Sequence, residues 1–178
     1  MEANYKTALD HILKSEGGFQ DDPRDNGNKL SDGRKGCTNL GVTQAAWEAY
    51  VGHKVSTADM KALTPEKVAP FYKHKYWDLV HGDDLPSGVD YLAFDFAINA
   101  GAGRAIKTLQ TVVGVTADGA IGPKTLQAVK AVSSKELINK YTKAKESFYR
   151  NLPSFDIYGK GWLARTETVD ATAKTLIG

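Results

Sequence analysis

Two carboxyl groups near the start of the chain stand in contrasting surroundings. Glu16 shares a helical face with Tyr5, Leu9 and Ile12, so its carboxyl group emerges from an apolar stripe at the C-terminal end of that helix. Partial burial and the negative end of the helix dipole both disfavour a carboxylate there, which predicts a raised pKa and a protonated acid near neutral pH. A proton donor of that kind is what general acid catalysis requires. Nine positions on comes Asp25, in the polar run Asp21-Asp22-Pro23-Arg24-Asp25, on a loop that Gly17 and Gly18 allow to fold back over the helix end. One acid in apolar surroundings and one in polar surroundings are the minimal equipment for breaking a glycosidic bond through an oxocarbenium-like transition state. Thr38 and Asn39, at the far end of the polar stretch, are candidates to position water or substrate. A Glu-Gly-Gly run is also an ordinary helix stop with a solvated acid, and the pattern alone leaves that reading open.

Other chemistry is thinner. Asp95 and Asn99 are four apart on an apolar segment and share one face, where they are either substrate-binding residues or hydrogen-bonded parts of the scaffold. Phe19, Tyr91 and Trp162 offer rings for sugar faces, although aromatic residues at helical spacing usually belong to a core, and Trp162 is read that way. His11, His53, His74 and His81 fall into no His-Glu-x-x-His pattern, so no metal site is expected, and His74 and His81 read as surface residues. No Gly-x-Ser-x-Gly elbow occurs and Cys37 has no histidine nearby, which argues against an amidase or a thiol peptidase. Gly101-Ala102-Gly103-Arg104 is too short for a phosphate loop.

The frame that must hold these groups is helical. With 178 residues, 42% hydrophobic and 25% charged, the chain has the composition of one ordinary folded domain, or a domain with a small annex. A formal charge of +2, from 23 basic and 21 acidic residues, is too small for nucleic-acid binding by bulk electrostatics. A single cysteine excludes an internal disulfide. No apolar run approaches 18 residues and no basic, apolar leader opens the chain, so neither membrane insertion nor a secretion signal is expected.

Periodicity predicts a helix over 4–15, stopped by Gly17 and Gly18, then an exposed polar lobe of turns over 19–41 with at most a short hairpin. Thr43 caps a segment with Trp47, Tyr50 and Val51, and Ser56 or Thr57 caps one reaching Leu63. Thr64-Pro65 opens a helix that carries Val68, Phe71, Tyr72, Tyr76 and Trp77 towards Gly82. Residues 89–100 are apolar nearly all round and read as a buried hub. Gly101 and Gly103 separate it from a helix with Ile106, Leu109, Val112 and Val113. A turn-rich stretch follows up to Pro123 at a helix N1 position, and Ser133 with Glu136 has capping-box spacing before a helix towards Arg150. A loop over 152–161 leads to a last helix from about Trp162. The fold class is mainly α, with a division expected between 1–88 and 89–178.

Several motifs resemble a known family. Glu16-Gly17-Gly18-Phe19, Asp22-Pro23-Arg24-Asp25 and Thr38-Asn39-Leu40-Gly41-Val42-Thr43 are similar to the N-terminal signature of glycoside hydrolase family 108, the lysozyme-like muramidases common among phage endolysins. Asp95-Phe96-Ala97-Ile98-Asn99-Ala100-Gly101, Asp118-Gly119-Ala120-Ile121-Gly122-Pro123-Lys124-Thr125, and the stretches from Phe148 to Pro153 and from Gly159 to Leu163 resemble its C-terminal, predicted peptidoglycan-binding half.

The resemblance implies a lysozyme-like α+β fold with a small polar lobe. It also implies Glu16, Asp25 and Thr38 as the catalytic Glu-Asp-Thr set, with Phe19, Asn39, Asp95 and Asn99 as substrate-binding candidates. The family runs from the aspartate through two glycines to the threonine within a few residues, whereas residues 28–36 read as an insertion here. Cys37 stands where a small or polar residue is usual. The implied activity is cleavage of the β-1,4 bond between N-acetylmuramic acid and N-acetylglucosamine. Peptidoglycan is the partner, no cofactor is implied, and the chain is expected to be a monomer. It would accumulate in a host cytoplasm and reach the periplasm and wall once a holin-like protein permeabilises the membrane. The excess of basic over acidic residues in 135–165, seven against three, suits an anionic wall or simply a solvated helix face. The helices after Asp118-Gly119 read as completing the core rather than forming a detached module. A lytic transglycosylase, which also uses one glutamate but yields 1,6-anhydro products, and a non-catalytic wall-binding or phage structural protein are the competing readings.

Overall fold

The computed structural model describes residues 2–178, with side chains from residue 4 onward. Its helices are α1 (Glu2–Ser15), α2 (Gln44–Val51), α3 (Thr57–Lys61), α4 (Pro65–Tyr72), α5 (Val89–Ala100), α6 (Ala102–Val113), α7 (Pro123–Lys130), α8 (Ser134–Arg150) and α9 (Phe155–Thr175). One antiparallel pair, β1 (Thr38–Asn39) and β2 (Val42–Thr43), completes a mainly α fold with a small hairpin lobe, the class that the periodicity predicts. Hydroxyl groups start the helices where expected. Thr43, Ser56, Thr64 and Ser133 accept from the backbone N–H of Ala46, Asp59, Lys67 and Glu136, each cap contributing about 1 kcal/mol. Ser56 and Asp59 form a full capping box. The Glu136 side chain instead pairs with Lys140 one turn on, at 2.7 Å. Among the described residues no helix is long and apolar enough to cross a membrane.

The chain divides into two compact units: Thr7–Lys75, and Tyr76–Gly178 with the first turn of α1. In the larger unit α5 is the hub, against which α6, α8 and α9 pack. Tyr5, Trp77 and Phe94 form an aromatic trio with ring centroids 5.2 to 5.8 Å apart, in which Phe94 meets both other rings edge to face. Asp90 is buried and accepts from the backbone N–H of Gly88 (2.9 Å) and Tyr91 (2.7 Å) and from Asn4 Nδ2 (2.9 Å), tying the first turn of α1 to α5. Burial pushes its carboxyl group up, against those three donors. Gln110, also buried, bridges the turn between α6 and α7. Its Nε2 donates to Asp118 Oδ1 and Ala120 O, and its Oε1 accepts from Gly119 N.

Two elements depart from expectation. The helix begun at Pro65 passes into a π-helical turn, Lys73–Trp77, after Pro70 has removed one backbone donor inside α4. The last helix starts at Phe155, not near Trp162. Gly159 lies inside it because the Phe155 ring covers its backbone: a Cβ there would lie 2.3 Å from a ring carbon. That glycine makes room for a ring and marks no turn.

In the Thr7–Lys75 unit, α1 buries Ala8, Leu9 and Ile12, and Met60, Leu63, Val68, Phe71 and Tyr72 supply the other buried apolar side chains from α3 and α4 and their connection. Phe71 packs edge to face with Tyr50 and with Tyr72, and Trp47 lies tilted against Tyr50 and Phe71. Cys37 is a core residue: its Sγ donates to Gln44 Oε1 at 3.4 Å, and burial pushes the thiol up.

Candidate active site

Glu16 closes the last turn of α1, its N–H donating to Ile12 O at 3.0 Å, and its side chain is half-buried at the end of the Leu9 and Ile12 stripe. Gly17 and Gly18 follow with open space around them and no left-handed backbone. The position where conformation decides is Gly41. The register pairs Thr38 with Thr43 and Asn39 with Val42, leaving Leu40 and Gly41 as a two-residue turn with φ of +52° and +76°. Left-handed backbone at both positions is the turn that suits a tight hairpin, and at Leu40 it carries strain. The Tyr72 hydroxyl donates to Leu40 O at 2.7 Å and holds the tip in place. A Cβ on Gly41 would lie 2.6 Å from Tyr72 Oη and 2.9 Å from both Cγ and Oε2 of Glu16. The acid is therefore bordered by a bare backbone and a phenol oxygen whose own proton is committed to Leu40.

Residues 28–36 fold into a closed loop. Gly36 N donates to Asn28 O at 2.7 Å, Lys29 and Lys35 pair, and Gly33 turns the tip at φ +87°. Arg34 clamps this loop to α2 with a two-pronged bond to Glu48, at 2.9 and 2.8 Å, while its Nε donates to Asp32 at 2.7 Å. The guanidinium holds both carboxyl groups down at about 2. Because the ends of the loop meet, Thr38 returns beside Gln20, with backbone bonds of 2.8 Å in both directions.

From there one hydrogen-bonded chain runs to Asp25. Thr38 Oγ1 donates to Asn28 Oδ1 (2.7 Å), Asn28 Nδ2 donates to Gln20 Oε1 (2.6 Å), and Gln20 Nε2 donates to Asp25 Oδ2 (2.7 Å). The backbone of Asp22 sets the polarity. Its carbonyl accepts from Asn28 Nδ2 (3.0 Å) and its N–H donates to Gln20 Oε1 (3.0 Å), so neither amide can turn over without losing bonds. Asp25 is exposed, and its other oxygen accepts from Gly27 N at 2.8 Å, which orients the carboxylate.

Of the residues singled out in the sequence, the structure joins Asp25 and Thr38 in this network and carries Glu16 in the same unit. Phe19 is half-buried, with Lys61 Nζ 4.9 Å from its ring centroid. Two substrate-binding candidates are scaffold instead. Asn39 is buried, and its Nδ2 donates to Met60 O at 2.8 Å. Asp95 is 0% exposed and bonds to Lys145 Nζ, itself 1% exposed, and to Arg165 (3.0 Å), so a sugar cannot reach its carboxylate. Asn99 is exposed, its Nδ2 donating to Asp95 Oδ2 at 3.2 Å. Sequence reasoning missed Gln20, Asn28, Tyr72 and Gly41. No periodic signal marks the two amides, and Leu40-Gly41 lacks the usual Asn-Gly of such turns.

The model of the family described as Glycosyl hydrolase 108 matches residues 9–101, more than half of the chain and all of the site just described. The chain belongs to glycosyl hydrolase family 108. Residues 104–167 of this hydrolase match a second model, described as a "Predicted Peptidoglycan domain". The chain is 41% identical to a solved protein, SagA of Brucella abortus, over 99% of this chain and 97% of that one, with a TM-score of 0.84. No curated protein matches. The family membership makes this a glycoside hydrolase of the lysozyme-like kind, and with the peptidoglycan domain it makes the chain a peptidoglycan hydrolase.

Proposed function

We propose that this hydrolase cuts the β-1,4 bond between N-acetylmuramic acid and N-acetylglucosamine with water as the acceptor. Glu16 protonates the departing glycosidic oxygen, Asp25 steadies positive charge or activates water, and Thr38 holds that water. The observation that carries this reading is the Thr38–Asn28–Gln20–Asp25 chain. The Thr38 proton is spent on Asn28, so towards a water the hydroxyl can only accept; it then holds one O–H of that water and leaves the other proton for Asp25 and the oxygen for attack. Gln20 and Asn28 act as positioning residues for the two groups that a hydrolytic reaction needs.

Mass spectrometry of muropeptides released from purified peptidoglycan tests the reading. Hydrolysis yields reducing N-acetylmuramic acid ends, Glu16→Gln abolishes release, and Asp25→Asn lowers it by two or more orders of magnitude. Products ending in 1,6-anhydro sugars, with activity indifferent to Asp25, would instead identify a lytic transglycosylase. We assign the physiological role to host lysis by a phage, with the enzyme held in the host cytoplasm until a separate protein permeabilises the membrane, a role supported by the resemblance of its motifs to phage muramidases. Gram-negative cells producing the chain should then keep growing until the inner membrane is permeabilised and lyse promptly afterwards. Lysis without permeabilisation would refute this role.

A further inference from the structure

In the larger unit a pocket of about 200 Å³ is lined by Phe148, Tyr149, Leu152, Trp162, Asn99 and Arg165. Phe148, Tyr149 and Trp162 give it three aromatic walls. Trp162 stands between the buried Tyr149 and the exposed Tyr158, with ring centroids 5.6 and 5.8 Å away and interplanar angles of 35° and 33°, so the rings form a stepped run whose Tyr158 end is open to solvent. Burial pushes the Tyr149 hydroxyl up to about 12, which keeps it neutral. The one amide at this pocket has a set orientation. Asn99 Nδ2 faces Asp95, a carboxylate bonded to Lys145 and Arg165 that accepts from the amide, so Asn99 Oδ1 lies on the open side as an acceptor.

A ligand that suits this arrangement has an apolar face for the rings, a donor at its edge for Oδ1, and a small apolar group beside that donor. We propose that the pocket is a glycan subsite for the acetamido group of an N-acetylated hexosamine. The acetamido N–H donates to Asn99 Oδ1, its methyl group packs against Trp162 and Phe148, and the C–H face of the sugar ring lies on the Trp162 and Tyr158 step. A plain hydroxyl at the same carbon could reach Asn99 but would leave the aromatic wall uncovered. The choice of sugar rests on the peptidoglycan reading, and Phe148, Tyr149, Leu152, Trp162 and Arg165 all lie within the segment that matches the peptidoglycan domain.

The test uses the full chain carrying Glu16→Gln, so that no sugar is consumed, labelled for NMR of its indole N–H groups. The Trp162 signal is identified by its loss in Trp162→Phe. Tri-N-acetylchitotriose should shift the Trp162 signal, cellotriose should bind at least tenfold more weakly, and Asn99→Ala should weaken the chitotriose response about tenfold. An unmoved Trp162 signal, equal responses to the two sugars, or an unaltered response in Asn99→Ala overturns the subsite. Wild-type release of muropeptides is measured alongside. Cleavage with a silent pocket refutes this inference alone, and a responsive pocket without cleavage refutes the catalytic reading alone.

Discussion

Gly41→Ala is the sharpest probe of the Glu16 environment. The new methyl group would lie 2.6 Å from Tyr72 Oη and 2.9 Å from Glu16 Oε2, so to reach ordinary contact the two side chains must retreat by about 0.8 and 0.5 Å. Alanine at φ +76° adds roughly 1 kcal/mol of backbone strain, and the crowding about as much again. A total of about 2 kcal/mol corresponds to a Tm lowered by roughly 4–8 °C for a chain of this size. Displacing the acid by a large fraction of an ångström should lower the specific activity on peptidoglycan by up to about 100-fold. Gly52→Ala is the control. It has φ +83° with nothing within 4 Å of the added methyl group, so it bears the strain alone. It should melt roughly 2–4 °C lower and keep wild-type activity per folded molecule. Both variants are assayed for clearance of permeabilised Gram-negative cells below their melting range. Equal specific activities would show that the contact with Glu16 has no bearing on catalysis.

Further perturbations reach other parts of the molecule. Asn28→Asp sets a carboxylate against Gln20 Oε1 and Asp22 O at a buried position, and should lower both the melting temperature and, per folded molecule, kcat by about tenfold or more with little change in KM; unchanged kcat would remove the positioning role. Glu48 and Asp32 are held below their usual 4.5 and 3.8, at about 2, so the stability they confer is present above about pH 4.5 and lost as pH falls towards 2. Melting curves of wild type and Arg34→Ala should therefore differ most near neutrality and converge near pH 2, and a constant gap across that range would contradict the clamp. Asp95→Asn strips the buried Lys145 of its carboxylate and should cost about 3–5 kcal/mol in urea unfolding, part of it recovered by adding Lys145→Met. A loss under about 1 kcal/mol would refute that account.

What could be read from the sequence was whatever is local. Apolar spacing marked α1, α5 and α6, and Ser or Thr ahead of such a stripe marked four helix starts within a residue. Glu16 was legible for the same reason, since its place at the end of the Leu9 and Ile12 stripe is a matter of helical geometry. The failures share another cause. Gly159 looked like a turn because nothing in the spacing says that a phenylalanine ring four residues earlier needs the room. Whether Asp95 contacts substrate or belongs to the scaffold stayed open, and Asn39 read as a substrate candidate, because their burial depends on partners far along the chain, Lys145 and Arg165 for one and Met60 for the other. The Gln20 and Asn28 relay exists only once residues 28 and 36 have met, and the sequence shows that meeting merely as a run of polar residues.

That meeting also bears on how the chain can be altered. The cost of closing a surface excursion rises slowly with its length, so once the backbone is stitched at Asn28 and Gly36 the number of residues between them has little influence on what lies on either side. Relatives can differ here by many positions and still present the same threonine to the same aspartate. A reporter or wall-targeting peptide grafted at the Asp32-Gly33 tip would travel with the enzyme while leaving its reactive groups undisturbed.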